Sequence, residues 1–559
     1  MVQTWTLGGL ADQAARRWPD RELMAFQGRR WTFGQAQQEI DRLARGLIGL
    51  GVGKGENVAF WMTNRPEWVF SMFALAKVGA VMVPINTRFR TVDLEYVVRQ
   101  SDSTTLIAVE RSGPIGFWDM VLEAAPEIRG QDPRRVISST FPALQRVVAL
   151  GDGPVEGAIS WEDLLEAGRG VSAADLKRRQ EDVQPDDTLF IMYTSGTTGF
   201  PKGVMHGHNV IRNIEVTADK LKVASDDCTI MYLPLFHAFG YFEGPLMCYL
   251  TGSRMVLTET FDPAEVLGLI ESERGTILHG FDTHWQDLID HPDFARRDVG
   301  CVRTGLLAAG LPSTVPVAER VNQRWCRTVT GWGMTEVMPA ATVSHAEDTF
   351  EHATATSGRP NDGYECRIVD PTTGRRQPVG VPGEMLIRGF AVMQGYYKKP
   401  EETAKALDAE GWFHTGDMGV ELPDGYIRFL GRYKEMLKIG GENVDPVEVE
   451  AYFLNHPAVS RVQIVGVPDQ RLSEVPVAFV VLKPDVRADE EGLRAFARGK
   501  LASFKVPSRF FFVGEYPMTS SGKVQKFKLR EMARARLGID APDIEQPATG
   551  ELEAPLRSG

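Results

Sequence analysis

Between Tyr193 and Gly203 the chain reads Tyr-Thr-Ser-Gly-Thr-Thr-Gly-Phe-Pro-Lys-Gly. Hydroxyls, glycines and one lysine are crowded into a turn that follows the apolar run Leu189 to Met192, which reads as a buried strand. Such a loop suits a polyphosphate. Its glycines let the backbone come close, its hydroxyls and amide N–H groups donate hydrogen bonds, and Lys202 adds a point charge. It is not a Walker A loop, because Pro201 stands where that motif needs glycine and Gly203 follows the lysine where Ser or Thr is required. Composition alone leaves a plain flexible Gly/Thr loop as an equal alternative.

Four further stretches hold chemically capable side chains. They are Gly331-Trp-Gly-Met-Thr-Glu336, Trp412-Phe-His-Thr-Gly-Asp417, Gly431-Arg-Tyr-Lys-Glu-Met-Leu-Lys-Ile-Gly-Gly441 and Ser521-Gly-Lys-Val524. Together with the 193–203 loop, and in this order, they resemble the motifs of the acyl-adenylate-forming enzymes: acyl-CoA synthetases, aryl-CoA ligases, luciferases and peptide-synthetase adenylation domains. The resemblance runs from about Thr32 to Arg530.

The resemblance implies roles residue by residue. Thr194, Ser195, Gly196, Thr197, Thr198, Gly199 and Lys202 would hold the β- and γ-phosphates of ATP. Trp332 stands where the family usually has a Tyr stacked on adenine, so the flat ring is kept and the phenol oxygen lost. Thr335 would contact the α-phosphate and Glu336 would help hold Mg²⁺, for which a carboxylate is a suitable hard ligand. Asp417 would accept from the ribose hydroxyls, with Arg432 assisting. Lys523 would be the mobile lysine aimed at the substrate carboxylate and α-phosphate, where charge develops during adenylation. Lys526 reads as a surface or pyrophosphate-side lysine. Lys434 would occupy the hinge, and Lys438, Gly440 and Gly441 the path of coenzyme A.

His237, in Leu-Pro-Leu-Phe-His-Ala-Phe-Gly, reads on its own as a structural histidine; the resemblance places it beside the acyl carboxylate. His206 and His208 form an H-x-H pair without a third ligand nearby, so no metal site is expected there. Candidate acyl-pocket residues are His237, Phe239, Gly280, Ala308, Ala309, Gly310, Gly333 and Val337. Most are apolar, which suits an apolar monocarboxylate. Two positions depart from the family pattern: Asp282 stands where Pro is common, and Ala309-Gly-Leu311 where Gly-Ala-Pro is usual.

The bulk numbers frame these residues. With 559 residues, two or more domains are expected. A formal charge of −12 argues against a general nucleic-acid binder, so the sites for ATP and coenzyme A must be locally positive. Five scattered cysteines without a C-x-x-C fit reduced thiols, and no apolar stretch is long enough to span a membrane. The expectation is a cytoplasmic protein with no integral membrane segment, with homodimerisation left open.

Thr32 with Gln35 reads as a capping box opening a helix, with Ile40, Leu43, Leu47 and Leu50 on one face. Gly51, Gly53 and Gly55 end it, and a strand Val58 to Met62, a helix Glu67 to Val78 and a strand Ala80 to Pro84 follow. Residues 150 to 187 read as a charged surface segment. Alternation of strands and helices implies an α/β fold: a large N-terminal domain of mostly parallel sheets covered by helices, residues 1–430. A small mobile α+β lid, residues 431–536, would follow, with strands Val462 to Val465, Pro476 to Leu482 and Phe510 to Val513 and two helices. A disordered tail, 537–559, would close the chain.

The resulting expectation is an ATP-dependent acyl-CoA synthetase acting on a medium-chain fatty, alicyclic or aromatic acid, with ATP, Mg²⁺ and coenzyme A. The alternatives are a ligase that loads a carrier protein and a catalytically dead binding relative.

Overall fold

The computed structural model describes residues 6–194, 201–311, 314–439, 442–469, 472–498, 500–501, 503–519 and 523–539. Ser195, Gly196, Thr197, Thr198, Gly199, Gly440, Gly441 and the tail from residue 540 therefore lie outside the described residues, as do the side chains of Lys434 and Lys438.

The chain divides into two compact units, Met1–Lys434 with Met518–Lys523, and Glu435–Pro517 with Val524–Gly559. The division falls four residues after the boundary read from the sequence. Six residues assigned to the lid, Lys523 among them, group instead with the large unit.

The large unit is built on an eight-stranded sheet. Val81–Pro84, Asn57–Trp61, Thr105–Val109, Arg146–Leu150 and Ile159–Ser160 run parallel in that order. Their side chains are buried on both faces, as expected for parallel strands covered by helices. On the other flank of Val81–Pro84 lies Thr188–Thr194, which forms an antiparallel pair with Lys202–Gly207. A second sheet joins Cys228–Met231, Arg254–Leu257 and Glu22–Phe26 in parallel, with Arg29–Thr32 antiparallel at its edge. A four-stranded sheet of Tyr364–Val369, Gly383–Gly389, Phe413–Glu421 and Ile427–Arg432 is wholly antiparallel, a feature the sequence reading did not separate from the parallel sheets.

The local signals are realised by definite bonds. Thr32 Oγ1 accepts from the Gln35 amide at 3.2 Å and Gln35 Oε1 accepts from the Thr32 amide at 2.9 Å. This box opens helix Phe33–Gly49, whose Ile40, Leu43 and Leu47 are buried. Gly51 then takes φ 81°, a conformation that stops the helix without a Cβ penalty. The segment from 150 to 187 is more regular than expected, containing helices Trp161–Ala167 and Ala173–Glu181, each started by a serine cap. No helix among the described residues is long and apolar enough to cross a membrane.

The small unit has its own core. Strands Leu437–Ile439, Val459–Asp469, Ser473–Leu482 and Arg509–Phe512 join Glu442–Val444 in one sheet. Helices Pro446–Leu454, Glu490–Ala497 and Lys526–Leu537 belong to it, one more than the sequence suggested. Val449, Phe453, Ile464, Ala478 and Phe510 fill its interior. Lys526 is not a surface lysine. Its Nζ lies 2.8 Å from Oε1 of Glu450, which is 2% exposed, and 3.9 Å from Glu435. Sequence position near a terminus misled because the partner is 76 residues away.

Candidate active site

Thr194 and Lys202 are paired across the antiparallel strands on either side of residues 195–200, so both are fixed by a sheet. Gly203 is required there: a Cβ would lie 2.6 Å from Ile191 Cγ2 and 3.1 Å from the Tyr193 ring. Lys202 Nζ sits 4.2 Å from the Tyr396 ring centroid. The Tyr396 hydroxyl donates to Glu336 Oε1 at 2.9 Å. Lys202 and Glu336, distant in sequence, thus meet the ring and the hydroxyl of one tyrosine. Tyr396 was missed by sequence reasoning, since no motif surrounds it.

Glu336 lies in a short 3₁₀ turn, Thr335–Val337, between strands Gly331–Met334 and Met338–Val343. It is 6% exposed, and burial pushes its carboxyl above the usual range against the pull of Tyr396, Arg432 and Lys202. Gly333 permits the tight turn, because a Cβ would collide with the Met338 carbonyl at 2.2 Å. The Thr335 carbonyl accepts a hydrogen bond from His206 Nε2 at 2.6 Å. Burial holds His206 down to about 4, so it is a neutral N–H donor that anchors the turn. The H-x-H pair therefore splits: His206 supports Thr335, while His208 Nδ1 accepts from the Leu7 amide at 3.0 Å.

Asp417 and Arg432 are cross-strand neighbours in the antiparallel sheet, with Arg432 Nε 3.1 Å from Asp417 Oδ1. The indole N–H of Trp332 donates to Asp417 Oδ2 at 3.0 Å. Asp417 is 2% exposed and Trp332 7%, so the carboxylate is oriented by two groups from different sheets. This polar use of Trp332 was not legible as a motif, which suggested only a flat ring.

Lys523 joins this group. Its Nζ lies 4.9 Å from the Phe281 ring centroid. Its charge is held down to about 8, first by crowding protein and then by Arg432, while Asp417 and Glu336 pull it up. Yet the residue keeps accessible surface. Both observations hold for a side chain on the wall of a cleft: protein atoms surround it closely, and solvent or a ligand still reaches it. His237 is pushed down to about 3 by burial and by nearby Lys523. Its Nδ1 accepts from the Phe239 amide at 3.3 Å, capping helix Ala238–Tyr241, so the hydrogen of the neutral ring is on Nε2. His237 is thus both a structural cap and a neighbour of Lys523.

Of the acyl-pocket candidates, Gly280, Ala308 and Gly333 lie on short neighbouring strands. Gly280–Phe281 pairs in parallel with Leu307–Ala308, and the bridge Leu306–Val329 leads to strand Gly331–Met334. The carboxyl ends of parallel strands are where such sheets hold ligands. Phe239 stacks edge-on against Phe281 at 5.4 Å. Gly310 has φ 110° and a Cβ would lie 2.2 Å from Ser357 Oγ, so glycine is required within Ala309-Gly-Leu311. Asp282 opens helix Asp282–Asp290, a first-turn position where either Pro or an acidic residue is favourable.

Comparison with known proteins agrees with this arrangement. The AMP-binding enzyme family model matches residues 11–397, and the model of the AMP-binding enzyme C-terminal domain matches 448–523. YngI of Bacillus subtilis (strain 168) is 39% identical over 531 residues, covering 94% of this chain and 96% of that protein. The mitochondrial medium-chain acyl-CoA ligase ACSF2 of Mus musculus is 33% identical over 544 residues, covering 96% and 88%. Among solved structures, the anthranilate CoA ligase AuaEII in complex with anthranoyl-AMP is 28% identical with a TM-score of 0.82, covering 96% of this chain and 99% of that one. ATP-bound MatB from Rhodopseudomonas palustris is 26% identical with a TM-score of 0.80, covering 95% and 99%. Five motifs in order and similarity along nearly the whole chain have one reading: the chain belongs to the AMP-binding enzyme family, in the acyl-CoA synthetase branch of the acyl-adenylate-forming enzymes, and is an AMP-forming acid–CoA ligase.

Proposed function

We propose that the acid activated is a medium-length linear, alicyclic or aromatic monocarboxylate. In the first step a carboxylate oxygen attacks the α-phosphorus of ATP. The bond to the bridging oxygen breaks, giving acyl-AMP and pyrophosphate. In the second step the coenzyme A sulfur attacks the acyl carbonyl carbon, the thiol proton passes to solvent, and AMP leaves. Two anions meet in the first step, and Lys523 beside Glu336, Asp417 and Arg432 is the observation that carries this reading. Lys202 and the 195–199 segment would bind phosphates, Thr335 the α-phosphate, and Asp417 with Arg432 the ribose.

The donor set fits Mg²⁺. That ion takes one or two protein carboxylates beside substrate phosphates, and Glu336 is a buried carboxylate whose hydrogen-bond partner is the neutral Tyr396 hydroxyl. When bound, Mg²⁺ would neutralise phosphate charge. Glu336 would hold it, Tyr396 would orient Glu336, and His206 would fix the turn from which Glu336 projects.

Family likeness assigns Lys434 to the hinge and Lys438, Gly440 and Gly441 to the coenzyme A path; the division of the units after Lys434 supports the first. Five free cysteines fit a reducing compartment, and a cytoplasmic site of action is part of this proposal.

The test is a panel of linear, alicyclic, aromatic and dicarboxylic acids, scored for pyrophosphate release and acyl-CoA formation. Medium-length and ring-bearing monocarboxylates should exceed acetate, which forgoes about 0.8 kcal/mol per buried CH₂. Acetate giving the highest kcat/KM, or acyl-AMP forming without acyl-CoA, would refute the proposal.

A further inference from the structure

The helical run that His237 caps continues through a π-turn, Phe242–Leu246, and contains a carboxyl unlike the apolar residues around it. Glu243 is 0% exposed, and neither of its oxygens has a hydrogen-bond partner among the described residues. A buried carboxyl without a partner is costly to keep, and π-turns recur at functional sites.

Its place in the fold says what it faces. Residues four apart share a helix face, so Glu243 lies one turn beyond Phe239 on the same side. Phe239 is at 5.4 Å from Phe281 and 6.2 Å from His279, ring centroid to centroid, and Lys523 Nζ is 4.9 Å from Phe281. His279 and Phe281 are two residues apart in an extended run, hence on one face and roughly 6.6 Å apart along it. Lys523, Phe281, Phe239 and His279 are thus linked side chain to side chain, and the helix spacing sets Glu243 on the Phe239 side of that series. His279 is 1% exposed; its Nδ1 accepts from the Leu306 amide at 3.3 Å, which leaves the hydrogen on Nε2, and that atom has no partner among the described residues.

We propose that Glu243 and His279 form a polar end to an otherwise apolar acyl pocket, selecting an acid that carries a hydroxyl group well away from its carboxylate. The inference rests on the proposed activity and narrows its substrate class. Burial pushes Glu243 up to about 8, so near neutral pH its carboxyl keeps a proton and both donates and accepts, while His279 Nε2 donates. A hydroxyl satisfies both groups; an alkyl end satisfies neither.

The experiment uses the full chain with ATP, Mg²⁺ and coenzyme A. Pyrophosphate release is compared for a medium-length linear acid and for its isomers with a hydroxyl moved one carbon at a time toward the far end. One hydroxylated isomer should exceed the parent acid in kcat/KM by on the order of tenfold to a hundredfold. In Glu243→Leu that ratio should collapse toward one, in Glu243→Gln it should survive in part, and Glu243→Leu should raise the melting temperature because an unpartnered carboxyl is removed. A wild-type enzyme indifferent to the hydroxyl, a preference for the corresponding amino acid, or an unchanged ratio in Glu243→Leu would overturn the inference. A lower melting temperature in Glu243→Leu would likewise overturn it, indicating a carboxyl satisfied by buried water. Turnover of acids without hydroxyl preference defeats this inference alone; no pyrophosphate with any acid defeats the proposed function as well.

Discussion

Replacing Trp332 with Phe keeps a flat apolar ring and deletes one atom group, the indole N–H that donates to Asp417 Oδ2 at 3.0 Å. Asp417 is 2% exposed, so water cannot readily substitute, and the Arg432 guanidinium lies 3.1 Å from the other oxygen. A hydrogen bond to a charged group is worth about 1.5–3 kcal/mol. If that orientation energy is expressed in nucleotide binding, AMP should bind roughly 10–150-fold more weakly at 1.4 kcal/mol per decade. The KM for ATP should rise similarly, with kcat changed less, because the ribose contact proposed for Asp417 would act in ground and transition states alike. Isothermal titration with AMP, on wild type, Trp332→Phe, Asp417→Asn and the double variant, isolates the pair. Asp417→Asn alone should be at least as damaging, and the double variant little worse than Asp417→Asn. The coupling energy should be about 1.5–3 kcal/mol. Additivity of the two substitutions within about 0.5 kcal/mol would show that the indole does not act through Asp417 and refute the reasoning.

Lys523 is held down to about 8, so its charge is present below that pH and lost above it; adenylation kcat/KM should fall as pH rises through about 8, and this basic limb should vanish in a Lys523→Arg variant that retains activity. Bound ATP adds negative charge and should move the corresponding limb of kcat upward; a limb that stays put would separate it from Lys523. Lys523→Ala should lose adenylation by a hundredfold or more, about 3 kcal/mol, while transferring acyl from preformed acyl-AMP, and equal loss of both half-reactions would contradict the assignment. In the small unit, Lys526→Met leaves the buried Glu450 carboxylate with the Ile464 amide but without its cation and should destabilise that unit by about 3–5 kcal/mol in urea unfolding, whereas Lys526→Met with Glu450→Leu should recover most of the loss. Equal stability of the two variants would mean that Glu450 is satisfied without Lys526.

What the sequence determined by itself is what short range controls. The Thr32 box, the stop at Gly51 and the strand Thr188–Thr194 each depend on neighbours a few residues away, and all stand in the structure. The family was legible for a related reason: each motif is a local peptide whose chemistry survives without knowing what it faces. Tertiary structure alone decided the partners. Trp332 meets Asp417 across 85 residues, Tyr396 meets Glu336 across 60, and His206 meets Thr335 across 129. Lys526 looked like a surface charge because Glu450, its buried partner, lies on another helix, and nothing in the sequence around Glu243 marks it for burial; only the fold removes it from water. A side chain's charge state and partner are set by burial and by strands brought side by side, and neither quantity is carried by the residue's own neighbours in the chain.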